Sequence, residues 1–214
     1  MIRSTALAVL VTIGASAASA FAAEEVKVAP DLAKAKKTAE TVCIACHGAD
    51  GNSPTSANPI LAGLGAEYLF KQLSEFKATD GKPALRNNAV MAGMTAALTV
   101  DDMKGLALYF SQQKRKPASA TDDKLVAAGK SLWRKGDFDK GIPACAGCHG
   151  PAGAGVPAQY PRLAGQYAEY TDLQLKNFRS EERSNDPEKM MRAIADKLSD
   201  KQIKALADYV AGLR

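Results

Sequence analysis

Four cysteines and two histidines are the whole complement of those residue types in 214 residues, and all six lie in two short stretches. One reads Cys43-Ile44-Ala45-Cys46-His47 and the other Cys145-Ala146-Gly147-Cys148-His149. Two thiols at this spacing share one turn of helix, with an imidazole directly after them. C-x-x-C-H is the attachment signature for c-type haem. Each thiol can add to one vinyl group on an edge of the porphyrin, and the adjoining histidine is aimed at the iron. A redox disulfide also uses C-x-x-C, but it belongs with a βαβ pattern that is missing here. A closed zinc site needs four ligands, and each half supplies three in one run. The cofactors expected are two haem c groups, held by Cys43, Cys46, Cys145 and Cys148, with His47 and His149 on the irons.

The sixth ligand follows from an internal repeat. A shift of 102 positions lays residues 58–76 (NPILAGLGAEYLFKQLSEF) on residues 160–178 (YPRLAGQYAEYTDLQLKNF), together with the two motifs. A shift of 100 lays residues 91–110 on 191–210, and the change falls in the loops 80–90 and 182–190. With both histidines used, methionine is the next common partner in electron-carrying haem proteins. Met91 and Met191 are the equivalent pair and the expected ligands, with Met94 and Met190 as reserves. Met94 overlays Ile194 and Met103 overlays Ile203, which marks both as apolar packing positions.

Other residues are candidates for supporting these ligands. A proximal histidine needs its Nδ1–H tied to an acceptor. Pro59 and Pro161 each lie 12 residues after their histidine and could offer a carbonyl, or could simply stiffen the loop. Arg86 and Arg183 are candidate partners for haem propionates. Tyr68 with Gln72, and Tyr170 with Gln174, share helix faces and could reach propionates as well, or could equally be structural. Tyr109 and Tyr209 are most simply core aromatics.

The elements that must position these groups are helical. Helices are expected near residues 31–43, 66–78 and 100–113, and again near 122–134, 168–180 and 200–213, with Asp31, Thr99 and Ser199 as N-caps. Strand signals are nearly absent. The Gly/Pro/Asn-rich stretches 48–65 and 150–167 carry no helical pattern and sit beside the motifs. Residues 111–123, charged and then Pro/Ser/Ala-rich, read as a connection. The expected domains are 24–114 and 122–214, joined by 115–121.

Residues 1–22 have the layout of a cleaved secretory signal peptide. Arg3 precedes an apolar run from Ala6 to Ile13, followed by A-x-A sites at Ala18–Ala20 and Ala20–Ala22. The run is short of the ~20 residues that a spanning helix needs. Export to the periplasm is expected. Charge is balanced in both halves, with 12 Lys and Arg against 10 Asp and Glu over residues 24–116 and 15 against 13 over 117–214. A nucleic-acid partner is therefore not indicated.

In its paired motifs, in PILAGLGAEYLFKQL and PRLAGQYAEYTDLQL, and in MAGMTAALTVDDM and MMRAIADKLSDKQIKALADYV, the chain resembles the dihaem cytochrome c4 family. One departure is Leu64, where the second copy has Gln166. The resemblance implies an all-α fold of two tandem cytochrome c domains, each wrapped around one covalently bound haem with His/Met ligation. It also implies a carbonyl of Pro59 and of Pro161 as the histidine partner, and propionate edges meeting between the domains. The function implied is a periplasmic electron carrier, not an enzyme, linking the respiratory chain to a terminal oxidase. Its redox partners would be a quinol–cytochrome c oxidoreductase or a dehydrogenase on one side and the oxidase on the other, with the carrier free or held at the membrane surface. An alternative is the cytochrome subunit of a dehydrogenase such as flavocytochrome sulfide dehydrogenase.

Overall fold

The computed structural model describes residues 29–79 and 81–214; the expected signal peptide, residues 1–22, lies outside the described residues. The chain folds as two copies of one helical plan. In the first, α1 (Leu32–Thr38) runs through a π-helical turn (Ala39–Cys43) into α2 (Ile44–His47), followed by α3 (Ala66–Phe76), α4 (Ala89–Thr95) and α5 (Val100–Ser111). In the second, α6 (Asp123–Lys135), α7 (Ala146–His149), α8 (Ala168–Arg179), a 3-10 turn (Pro187–Lys189), α9 (Met190–Ala195) and α10 (Asp200–Gly212) repeat the order. Among the described residues, β structure is confined to isolated bridges. None of their helices is long and apolar enough to cross a membrane.

The starts of the helices follow their caps. Asp31 Oδ1 accepts from Lys34 N at 2.9 Å. Thr99 and Ser199 close reciprocal capping boxes with Asp102 and Gln202, each satisfying two backbone donors that would otherwise have no partner. The short helices α4 and α9 fall outside the expected set. Six or seven residues are too few for a hydrophobic period to show, and tertiary contacts sustain them instead.

Two separate apolar clusters form the cores. Ala35, Ala39, Leu64, Leu69, Leu106, Ala107 and Phe110 make the first. Leu132, Trp133, Ile142, Leu198, Ile203, Leu206, Tyr209 and Val210 make the second. Cys43 packs against the first cluster and Cys145 against the second. Met103 and Ile203 are buried, as their positions on the closing helices predict. Tyr209 is a core aromatic, whereas Tyr109 is only half-buried and donates its hydroxyl to Ala49 O at 3.1 Å. Met94 is half exposed rather than packed.

The two copies cross their first and last helices at one glycine each, on opposite partners. Gly105 of α5 faces Ala35 of α1, and Gly129 of α6 faces Ala205 of α10. That exchange puts Gly129 at the place of Ala35 and Trp133 at the place of Ala39. The second core is thus filled by an indole where the first holds a methyl group.

The connection is not loose. Arg115 donates from Nε to Ala62 O (2.8 Å) and from Nη1 to Ala164 O (3.1 Å), which are equivalent carbonyls of the two copies. Lys116 N is held by Asn52, Ala118 N by Gly165 O, and Thr121 by the buried Asp208. Burial, with Arg162 adding like-charge repulsion, pulls Arg115 down to about 10.

A Cβ placed on Gly129 would meet Ala205 O at 2.2 Å, whereas one on Gly105 would meet the Ala35 methyl at 3.3 Å. Gly129→Ala should therefore force the α6–α10 crossing apart and cost about 3 kcal/mol, against less than about 1 kcal/mol for Gly105→Ala. Thermal denaturation of the two variants should separate them in that order.

Candidate haem sites and the seam between them

Each C-x-x-C-H motif ends its helix at the histidine, and Gly48 and Gly150 turn the chain with φ of 73° and 80°. The histidines are buried and held in the same way. His47 Nδ1 lies 3.0 Å from Pro59 O, and His149 Nδ1 lies 2.9 Å from Pro161 O. A carbonyl only accepts, so Nδ1 carries the proton and Nε2 is left with a free lone pair. Burial lowers the pKa of both imidazoles and outweighs the opposing pull of the carbonyl. Both are thus held neutral, the form that binds a metal. The prolines are more than loop stiffeners: the irregular stretches 48–65 and 150–167 bring their carbonyls back under the rings.

The thiols are free of one another as disulfides. Burial raises Cys43, with the neighbouring Cys46 adding to it, and pushes Cys145 up to about 11. This is the reverse of a redox-active or metal-binding cysteine, whose thiolate is stabilised. A neutral S–H is the group that adds across a vinyl double bond. Among the described residues, no three His, Cys, Asp or Glu side chains converge on a point that would hold a bare metal ion.

Met91 and Met191, both half-buried, sit on α4 and α9. Side chains anchor the start of each helix: Asn88 Oδ1 accepts from Met91 N at 2.9 Å. Asp186 holds the backbone of Arg192 at 2.9 Å and its Nε at 2.7 Å. On α4, Val90 and Met94 leave 65% and 50% of their surface open. That is apolar area for a flat, apolar group to cover.

Arg86 and Arg183 meet across the seam between the domains, paired by an antiparallel bridge. Each lies over its own domain's aromatic ring, Phe76 at 4.5 Å and Phe178 at 4.4 Å. Each also reaches across. Arg86 donates to Gln72 of its own domain (2.6 Å) and to Tyr170 (3.0 Å) and Gln174 (2.9 Å) of the other. Arg183 donates to Gln174 of its own domain (2.9 Å) and to Tyr68 and Gln72 of the other (both 3.2 Å). The four residues picked out as Tyr/Gln pairs thus accept from the two arginines in a reciprocal pattern, with Asn185 a further acceptor for Arg183 (3.0 Å). Burial opposes ionisation of Tyr68, but the Arg183 and Arg86 charges outweigh it and hold the phenol below its ordinary value. Two buried guanidiniums have mostly neutral acceptors here; the nearby carboxylate, Glu75, already serves Lys71 and Asn185. Such a seam has capacity for further anions.

The structure also resolves the repeat more finely than the two shifts do. Arg86 follows Phe76 by ten residues and Arg183 follows Phe178 by five, whereas Met91 follows its arginine by five and Met191 by eight. A five-residue difference and an opposing three-residue difference leave the net two.

Sequence reasoning gave no role to Arg115, Asn88, Asp186 or Tyr167. Arg115 stands in a basic Lys-Arg-Lys run that reads as solvated linker. Tyr167 donates to Ser53 O of the other domain at 2.6 Å, and nothing local marks it apart from its counterpart being Gly65.

Two haem-attachment motifs, each at the head of a small helical domain with its histidine anchored, are the arrangement of a dihaem c-type cytochrome. The cytochrome c family model matches twice, over residues 32–114 and 126–214. Cytochrome c4 of Stutzerimonas stutzeri is 48% identical, over 80% of this chain and 84% of its own length. The thiosulfate dehydrogenase electron acceptor of Thiomonas intermedia is 43% identical, over 79% and 77%. The crystal structure of reduced recombinant cytochrome c4 from Pseudomonas stutzeri superposes with a TM-score of 0.80 at 42% identity, covering 87% of this chain and all of that one. The chain belongs to the cytochrome c family and, within it, to the dihaem cytochromes c4. It is an electron carrier with two covalently bound haem c groups, one for each motif.

Replacing Asn88 by Ala removes the acceptor for Met91 N–H. The cap is worth about 1 kcal/mol, so the Met91 amide should exchange about fivefold faster, with the Met191 amide unchanged. Hydrogen-exchange NMR reads both.

Proposed function

We propose that the protein is a periplasmic carrier that takes single electrons from the respiratory chain and delivers them to a terminal oxidase. The observation that carries this is the equivalence of the two sites: each has an anchored, neutral histidine and a methionine on a helix with a side-chain anchor at its start. In this reading Cys43, Cys46, Cys145 and Cys148 form the thioethers. His47 with Met91 would hold one haem iron, and His149 with Met191 the other. Arg86 and Arg183 would hold propionates at the seam between domains 24–114 and 122–214. Export by a signal peptide over residues 1–22 belongs to the same reading.

Haem iron supplies a one-electron couple, and the chain's part is to keep its surroundings still while the charge changes. The proline carbonyls fix the ring planes, and burial of the site disfavours the extra ferric charge. A thioether favours ferrous over ferric iron and raises the reduction potential. With a histidine and a methionine holding each haem, neither iron would be left open to a substrate. This argues for carriage rather than turnover.

A second reading is that the donor is a periplasmic dehydrogenase, either a flavoprotein or one acting on thiosulfate. It is favoured by the similarity to a relative named as a thiosulfate dehydrogenase electron acceptor. The two readings separate in stopped-flow mixing. Reduced protein should be oxidised rapidly by a purified haem–copper oxidase, and oxidised protein should be reduced either by a quinol–cytochrome c oxidoreductase or by thiosulfate dehydrogenase with thiosulfate.

Replacement of Met191 by Ala should remove the methionine-to-ferric-iron charge-transfer absorption from one haem of the two and lower that haem's potential. If an optical redox titration finds both haems unchanged, the ligand assignment is wrong.

A further inference from the structure

The two domains differ at one place where the repeat would have them alike. Leu64, in the core of the first domain, is matched by Gln166, a buried residue that faces the other domain. Its amide clasps one residue there from both sides. Gln166 Oε1 accepts from Ile60 N at 3.0 Å, and Gln166 Nε2 donates to Ile60 O at 2.9 Å.

Ile60 N–H belongs to the same peptide unit as the Pro59 carbonyl, and that carbonyl holds His47 Nδ1 at 3.0 Å. One planar amide thus links Gln166 of the second domain to the imidazole of the first. Hydrogen bonds on the two ends of a peptide strengthen each other by polarising it, by about 10–30% per bond. A more negative Pro59 oxygen draws more strongly on the Nδ1 proton, which makes Nε2 a better electron donor. The neighbouring Tyr167 makes a second contact between the domains close by: its hydroxyl donates to Ser53 O at 2.6 Å, and Ser53 Oγ lies 2.9 Å from Cys46 O of the first motif and 2.8 Å from Thr55 O. The reverse link is not made. Among the described residues, no side chain of the first domain reaches the Arg162 amide, the equivalent of Ile60.

We infer that Gln166 is a positioning residue that lowers the reduction potential of the first haem alone, acting through the Pro59–Ile60 peptide on His47. The inference rests on His47 being the axial ligand of that haem. It makes the potentials of the two sites unequal by a contact between domains rather than by a difference in ligands.

The test uses the holoprotein with Gln166→Met, which keeps length and volume but removes the amide, and Gln166→Glu, which keeps a stronger acceptor. Haem methyl NMR signals followed through a redox titration read the two potentials separately, and hydrogen exchange reads the Ile60 amide. In Gln166→Met, Ile60 should lose protection. The ratio of ferrous to ferric first haem at a fixed potential should rise about threefold, a potential higher by about 28 mV at 59 mV per tenfold for one electron. The second haem should stay put, and Gln166→Glu should move the first haem the opposite way. Simple loosening of the seam would move the first haem in the same direction in both variants, and that result overturns the inference. So does an Ile60 amide that stays protected, a first-haem potential that stays put while Ile60 opens, or a shift shared equally by both haems. Failure of the underlying ligand assignment would show earlier, in wild-type protein without a His/Met spectrum at the first haem.

Discussion

An imidazole has two nitrogens, and a protein can aim one only by occupying the other. In both domains the occupying group is a proline carbonyl twelve residues after the histidine, at 3.0 Å and 2.9 Å. Much of the irregular chain serves that contact. The loops after each motif fold back on Gly51 and Gly153, whose carbonyls accept the amides of Leu61, Ala62, Leu163 and Ala164. That sets the height of the proline beneath the ring. A proline is suited to the place because its backbone has no N–H to satisfy and its φ is already set.

The second constraint is charge at the seam. Two guanidiniums buried side by side would be costly without compensation, and each needs acceptors in the plane of its fork. The repeat supplies them in duplicate, so each arginine uses one glutamine of its own domain and a tyrosine and glutamine of its neighbour. Flattening each guanidinium on a phenylalanine satisfies its faces while its edges are hydrogen-bonded. Gln72 and Gln174 each serve both arginines, which ties the register of one domain to the other. Arg115, gripping equivalent carbonyls of the two copies, fixes the same register from the connection.

Duplication makes an arrangement symmetric, and function in a two-centre carrier gains from breaking it. Among the breaks are Trp133 against Ala39 in the cores, Gln166 and Tyr167 against Leu64 and Gly65 at the seam, and Gly136–Pro143, an extra loop before the second motif. Of these, only the Gln166 and Tyr167 pair reaches from one domain into the surroundings of the other domain's motif.

What the sequence determined by itself was the chemistry and the plan. Cysteines and a histidine in a fixed local spacing name a covalent cofactor, because one helical turn is enough to set their geometry. The same residues found twice, 102 apart, give the duplication, and the 100-residue shift that follows makes Met91 and Met191 the expected pair among the methionines. Long helices with caps and apolar stripes were legible for the same reason: their signals are local. The helices that carry the methionines were too short to show a period. The tertiary structure alone decided which groups Arg86, Arg183, Arg115 and Gln166 touch. Their partners lie on the other domain or across a chain reversal, and no spacing in one copy encodes how a second copy will dock. In the sequence Leu64 was the departure and Gln166 only its counterpart; the packing of two domains around one peptide shows what Gln166 holds.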